Sequence, residues 1–151
     1  MKPRDGHVKS RDGHVKPQVG DLLRPLRIPS VSAADMHDWA RVLGDPNPIH
    51  LDPQAVKAKG LGDRVINQGP ANLAYVITML QSALPDARLC SLDARYVDNV
   101  FGGDCVEAGA KVTAVEAGDL PRVTCEFWLN VESRGPALQG VAVLQLPLAI
   151  L

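Results

Sequence analysis

Apolar residues recur at helical spacing between Ala33 and Leu43. Ser32 is a candidate N-cap for this segment, and Asp35 follows three residues later, as in a capping box. Gly44 comes next and is a typical helix stop. We therefore predict a helix over residues 33–43. The residues expected on its buried face are Met36, Trp39, Ala40 and Leu43.

A second apolar segment, from Ala71 to Leu84, has almost no polar face. Gly69-Pro70 marks the start of this helix, because proline is favoured in a first helical turn, and Pro85 ends it. A helix with so little polar surface is expected to be buried. A short helix from Pro53 to Lys59 is predicted before it.

The rest of the chain is divided by turns that contain glycine and proline. Between these turns apolar and polar residues alternate, most clearly in Val123-Cys125-Phe127-Leu129. A first candidate strand, Leu22–Ile28, contains Pro25, which limits it to a sheet edge. The other predicted strands are Arg88–Val97, Cys105–Glu116, Arg122–Ser133 and Gly140–Leu148. A buried helix followed by antiparallel strands predicts an α+β domain.

Composition places this domain among ordinary globular proteins. The chain has 151 residues, 46% of them hydrophobic, and a formal net charge of -1. Without a run of like charge, nucleic acid and anionic membrane are poor candidates for a partner. No apolar run is long enough to cross a bilayer, and the N-terminus lacks the apolar segment of a signal peptide. We therefore expect a cytoplasmic protein.

The first residues differ from the rest. Arg4-Asp5-Gly6-His7-Val8-Lys9-Ser10 is repeated, apart from its last residue, in the next seven residues. The repeat is polar and has no apolar face to bury, so residues 1–18 are predicted to be a disordered tail. The folded domain is predicted to span residues 19–151.

The segment Gly44-Asp45-Pro46-Asn47-Pro48-Ile49-His50 carries the candidate chemistry. It places a carboxylate and an imidazole five residues apart on a loop stiffened by two prolines. A carboxylate and an imidazole held in this way suit general acid–base chemistry on a water molecule or a hydroxyl group. Asp45 and His50 are therefore the candidate catalytic pair. The alternative is that Asp45 caps a turn and His50 bonds to backbone.

This segment, with Leu51-Asp52-Pro53, Ala58 and Gly60 after it, resembles the signature of the MaoC-like family of (R)-specific enoyl thioester hydratases and dehydratases. The resemblance extends from about Val19 to the C-terminus and is dense between Ala40 and Ala74. It implies a single hot-dog domain, with an antiparallel sheet wrapped around a buried central helix. It also implies a hydro-lyase that interconverts trans-2-enoyl and (R)-3-hydroxyacyl thioesters.

The resemblance also implies roles for single residues. Asp45 and His50 would share one water, and Asn47 would support the loop or lie close to that water. Gly69 would offer its N–H to the thioester carbonyl at the start of the buried helix. The family usually has alanine-histidine before this glycine, whereas this chain has Asn67-Gln68, followed by Pro70. Gln68 is therefore a supporting residue whose role differs from that of the usual histidine.

Partners and alternatives follow from the same resemblance. The substrate would be a thioester of CoA or acyl carrier protein; no cofactor and no metal are expected, and the fold implies a homodimer. Arg64 is one of several candidates for the carrier phosphates, although an ordinary surface charge is the simpler interpretation, and Gly103-Asp104 is interpreted as a turn. Two alternatives stay open: an acyl-thioester-binding subunit of a hetero-oligomeric dehydratase, and a hot-dog thioesterase. The absence of an acidic residue between Ala71 and Leu84 weighs against the thioesterase.

Overall fold

Five strands form one antiparallel sheet in the computed structural model, which describes residues 16–148. The strands are β1 (Leu26–Ile28), β2 (Arg88–Tyr96), β3 (Val106–Glu116), β4 (Arg122–Val131) and β5 (Gly135–Gln145). The α-helices are α1 (Ala33–Leu43), α2 (Pro53–Ala58) and α3 (Gly69–Ala83), and a short 3₁₀ helix covers Pro48–His50. The predicted tail falls almost entirely outside the described residues and stays a prediction.

The sheet has the strand order β1-β3-β4-β5-β2, and every neighbouring pair is antiparallel. Alternate residues of β3 and β4, among them Val112 and Phe127, point to one face and are buried there. Helix α3 covers that face with Val76, Met79 and Leu80, all of which are almost fully buried. A sheet wrapped on one helix is the hot-dog arrangement, so the predicted α+β class is confirmed.

Helix α1 forms over the predicted residues because its two ends are capped locally. Ser32 Oγ accepts a hydrogen bond from Asp35 N at 3.1 Å, and Gly44 adopts a left-handed conformation with φ of 61°. Met36 and Ala40 are buried as predicted. Leu43 was expected beside them, but it is 38% exposed. The prediction for Leu43 is wrong because the last turn of α1 extends past the apolar interior.

Strand β5 begins at Gly135, whereas the sequence predicted Gly140. The turn before β5 covers residues 131–134, since Arg134 N donates to Val131 O at 3.1 Å. The strand starts directly after this turn, because Pro136 pairs with Asn130 at an irregularity in the register between β4 and β5. A bulge of this kind is a place where a sheet tolerates proline.

Candidate active site

The loop that carries Asp45 is fixed at both ends by short local hydrogen bonds. Asp45 N donates to Ala40 O at 2.9 Å, which joins the loop to the end of α1. Asn47 Oδ1 accepts from Ile49 N at 3.3 Å and caps the 3₁₀ turn Pro48–His50. Asp52 caps α2 in the same way, by accepting from Gln54 N at 2.8 Å. Asn47 thus shapes the loop and fixes the turn that contains His50.

The side chains of Asp45 and His50 face each other. His50 Nε2 lies 3.4 Å from Asp45 Oδ2. The other carboxylate oxygen, Oδ1, accepts from Asn47 N at 3.2 Å, which holds the carboxylate in place. The His50 side chain is 10% exposed and that of Asp45 is 43% exposed, so the pair lies at the edge of the interior with access from solvent.

A backbone carbonyl fixes which nitrogen of His50 carries the proton. His50 Nδ1 lies 2.6 Å from Ile66 O, and this contact is buried. A carbonyl oxygen only accepts, so Nδ1 carries the hydrogen and Nε2 of the neutral ring presents a lone pair. The lone pair then faces a carboxylate oxygen, and two acceptors at 3.4 Å do not bond to each other. A donor such as a water or hydroxyl group satisfies both.

The start of α3 supplies a second group of polar atoms. Gly69 is the first residue of this helix, where the N–H has no preceding turn to bond with. Pro70 follows it and contributes no N–H. Tyr96 Oη donates to Gly69 O at 3.1 Å, and a Cβ built on Gly69 would lie 3.2 Å from the Tyr96 ring. No sequence pattern connects Tyr96 with this helix, which lies 27 residues earlier in the chain.

Gln68 is almost completely buried, at 1% exposure. Its Nε2 donates to Met36 O at 2.8 Å and so joins the start of α3 to α1. Its Oε1 is buried and has no hydrogen-bond partner among the described residues. Asn67 beside it donates through Nδ2 to Asn72 Oδ1 at 2.8 Å. Amides therefore occupy the place where the family usually has alanine-histidine.

A depression of about 470 Å³ opens beside the Asp45 loop. It is lined by His37, Ala40, Arg41, Gly44, Pro46 and Leu51. His37 is exposed, as expected for a histidine on the outer side of α1. Arg41 is paired with Asp38 one turn earlier. The depression borders the loop on the side of α1, and neither Asp45 nor His50 lines it.

Arg64 is not a free surface charge. Its Nη1 lies 2.8 Å from Asp104 Oδ1, and the Asp104 side chain is only 5% exposed. Arg134 Nη2 contacts Asp104 Oδ2 at 2.6 Å. Asp104 lies at the end of a turn, as predicted, but neither ion pair was predicted, because Arg64 and Arg134 lie 40 and 30 residues away in the chain. Within residues 16–148, no group of His, Cys, Asp or Glu side chains is arranged to hold a metal ion.

The fold agrees with the comparison to known proteins. The model of the MaoC like domain matches residues 17–126, which is more than half of the chain. The chain belongs to the MaoC-like dehydratase family. The MaoC-like domain therefore carries Asp45, His50 and Gly69 within its matched part.

Solved structures of the same fold include hydratases. An (R)-hydratase from A. caviae, involved in PHA biosynthesis, is 28% identical to this MaoC-like domain; the match covers 87% of this chain and 98% of that one, with a TM-score of 0.79. The ChsH1-ChsH2 complex from Mycobacterium tuberculosis is 19% identical over 86% of this chain and 98% of that one, with a TM-score of 0.75, which shows the fold alone.

A curated relative carries a related activity in its name. The mitochondrial 3-hydroxyacyl-[acyl-carrier-protein] dehydratase of Arabidopsis thaliana is 29% identical over 87 residues, or 58% of this chain. The match covers 51% of that protein, so the MaoC-like domain corresponds to about half of its length. Among the described residues, no helix combines the length and the apolar character needed to cross a membrane.

Proposed function

We propose that this protein is a hydro-lyase that adds water to trans-2-enoyl thioesters, or removes it from (R)-3-hydroxyacyl thioesters. The observation that carries the proposal is the 3.4 Å approach of Asp45 Oδ2 to a His50 Nε2 whose partner nitrogen is bonded to Ile66 O. A lone pair and a carboxylate oxygen at this separation suit one shared water. Holding that water beside both groups supplies the proximity that hydration needs.

The reaction adds one water across the double bond. The water oxygen bonds to C3 of the acyl chain while His50 Nε2 takes one of its protons. The electron pair of the double bond moves toward the thioester carbonyl, and an enolate-like state forms. The proton that His50 took passes across the 3.4 Å gap to the Asp45 carboxylate, which delivers it to C2, so that both groups return to their starting states. Dehydration follows the same steps in reverse.

The negative charge on the carbonyl oxygen needs a donor. Gly69 N–H at the first position of α3, together with the positive end of that helix, suits this role. Pro70 removes the next N–H of the helix. The thioester carbonyl would therefore rely on Gly69 more heavily than it would at a helix start with two free donors.

Wild-type hydration of crotonyl-CoA and of a longer trans-2-enoyl-CoA, followed by loss of enoyl absorbance, tests this function. We expect turnover and a product that is the (R)-3-hydroxyacyl thioester by chiral analysis. An (S) product would contradict the proposed stereochemistry, and hydrolysis of the thioester without hydration would support the thioesterase. Helix α3 carries no acidic residue, which argues against that alternative.

A homodimer is the form in which we expect the protein to act. Strand β2 pairs with β5 on one side, and no other strand of the described residues covers its second edge. Tyr96 and Val97, at the end of β2, are 50% and 40% exposed. Residues on the outer side of α3, such as Leu73 and Ile77, are only half-buried by this chain. An uncovered edge with apolar residues nearby suits a second copy.

Light scattering during size-exclusion chromatography measures the oligomeric state. One chain has a mass of 16.2 kDa, and we expect twice that mass for the purified protein. A monomer that is inactive on enoyl-CoA would instead favour the acyl-thioester-binding subunit of a hetero-oligomeric dehydratase. A monomer that hydrates enoyl-CoA at full rate would show that no partner is needed.

A further inference from the structure

A buried carboxylate holds two arginines together near the segment that contacts His50. This carboxylate is that of Asp104, which accepts three hydrogen bonds, from Arg64 Nη1 at 2.8 Å, Arg134 Nη2 at 2.6 Å and Phe101 N at 2.9 Å. The two guanidinium groups also lie over the Phe101 ring, at 5.1 and 5.0 Å from its centroid. We call Asp104, Arg64, Arg134 and Phe101 the Asp104 cluster.

The carboxylate at its centre stays ionised. Burial alone would raise the pKa of Asp104, but the hydrogen bonds from Phe101 N and Arg64, with the positive charges of Arg64 and Arg134, outweigh it and lower this pKa. A buried ion pair is often no more stabilising than apolar side chains of the same size. The Asp104 cluster is thus poorly explained by stability alone.

Backbone hydrogen bonds connect the Asp104 cluster to the segment that orients His50. Asn67 N donates to Val100 O at 2.7 Å, and Gly102 N donates to Val65 O at 2.9 Å. These two bonds place Ile66 directly opposite Phe101 in an isolated antiparallel bridge. Arg64 strengthens the same junction, since its Nη1 also donates to Gly102 O at 3.0 Å. Ile66 is therefore held from two sides, by its own N–H, which donates to Ile49 O at 3.0 Å, and by the turn that Asp104 closes.

The same turn reaches the helix that carries Asp45. Val31 N donates to Asp104 O at 2.8 Å, and Gly103 N donates to Val31 O at 2.8 Å. Val31 directly precedes Ser32, the N-cap of α1. Both members of the candidate pair are thus connected to the Asp104 cluster, His50 through Ile66 and Asp45 through α1.

We propose that Asp104, Arg64 and Arg134 are positioning residues, which hold the Ile66 carbonyl against His50 Nδ1 and thereby keep Nε2 as the proton acceptor. The catalytic part of this inference rests on the proposed hydratase function. The tautomer of His50 does not, because it is a property of the free protein.

Two measurements on Asp104→Asn test the inference. The first is a long-range proton–nitrogen NMR spectrum, recorded at a pH at which the imidazole is neutral. The His50 signal is assigned as the one that is missing from the spectrum of His50→Gln. In the wild type we expect the hydrogen on Nδ1. We expect Asp104→Asn to mix the two tautomers. We also expect kcat for enoyl-CoA hydration to fall by about 10- to 100-fold, because a reacting group misplaced by 1 Å costs about 100-fold. KM should change far less.

A milder pair of variants serves if Asp104→Asn does not fold. Arg64 is 48% exposed, so Arg64→Gln should fold while losing the bonds to Asp104 and Gly102. Arg64→Lys should rescue part of kcat, because one ammonium can replace the single Nη1 that makes both bonds. Glu132→Gln is the matched control. It removes the carboxylate of an exposed ion pair between Glu132 and Arg27, and it should leave both measurements unchanged.

The outcomes separate the two proposals. A folded Asp104→Asn or Arg64→Gln variant with wild-type kcat and an unchanged His50 spectrum would overturn the inference. A wild type that hydrates no enoyl-CoA, while the His50 tautomer still responds to Asp104→Asn, would remove the proposed function and keep the positioning role. A lower melting temperature with neither change would leave Asp104 a stabilising residue only, which also contradicts the inference.

Discussion

Replacement of His50 by glutamine is expected to lower kcat for enoyl-CoA hydration by about 10²- to 10⁴-fold, the usual contribution of a general base. Glutamine can still donate a hydrogen bond toward Ile66 O, but it has no basic nitrogen to take a proton from water. Because only the proton-transferring atom is lost, substrate binding should change little. Initial rates over a range of enoyl-CoA concentrations, with circular dichroism to verify folding, measure this effect.

Asp45→Asn should lower kcat by a similar factor. The asparagine oxygen can still accept from Asn47 N, so the loop should keep its shape while the group that relays a proton is lost. The double variant should lose about as much as either single one, since groups that act as a unit are not additive. Asp52→Asn is the matched control, because asparagine caps a helix as well as aspartate does. Full activity in both folded single variants would show that the pair is not catalytic.

The second large effect is a loss of stability: Gly140→Ala is expected to lower the free energy of unfolding. A Cβ built on Gly140 would lie 1.9 Å from Asp93 O and 2.7 Å from the Phe127 ring. The Asp93 carbonyl belongs to the backbone of β2, so β2 has to move away from β5 to admit the methyl group. Overpacking of this kind costs about 1–3 kcal/mol, and we expect the upper end or more. Urea unfolding monitored by circular dichroism measures the free energy of unfolding of the variant and the wild type.

Gly109→Ala is the matched control for Gly140→Ala. The added Cβ would also overlap, at 2.7 Å, but with the Trp128 side chain. Trp128 is only half-buried, so its ring can move toward solvent where a backbone carbonyl cannot. Alanine is also more favourable than glycine within a strand, by about 0.5–1 kcal/mol of stability. The free energy of unfolding of Gly109→Ala should therefore be closer to that of the wild type than that of Gly140→Ala. Equal losses in both variants would contradict this account.

The sequence predicted those elements whose ends are made by residues close together in the chain. The capping of α1 by Ser32 and Gly44 involves atoms within four residues of each other, so it could be predicted without knowledge of the rest of the fold. The caps that the structure shows at Asn47 and Asp52 are equally local. The start of β5 could not be predicted, because proline is admitted there only by an irregular register with β4.

The candidate site shows the same division. Asp45, Asn47 and His50 lie in one short segment, and the stiff loop brings the carboxylate to the imidazole; their catalytic role stays a prediction. The carbonyl of Ile66, 16 residues farther along the chain, determines the tautomer of His50. No side-chain pattern could indicate it, because any residue at this position has a carbonyl.

By itself, the sequence of this MaoC-like protein determined the α+β class, the capped helix before the loop and the residues of the candidate pair, because local spacing and side-chain chemistry are enough for these. Only the tertiary structure decided that Arg64 and Arg134 meet at Asp104, that Tyr96 bonds to Gly69 and that Ile66 orients His50. Those contacts join residues 16 to 40 positions apart, and folding of the sheet against α3 brings them together.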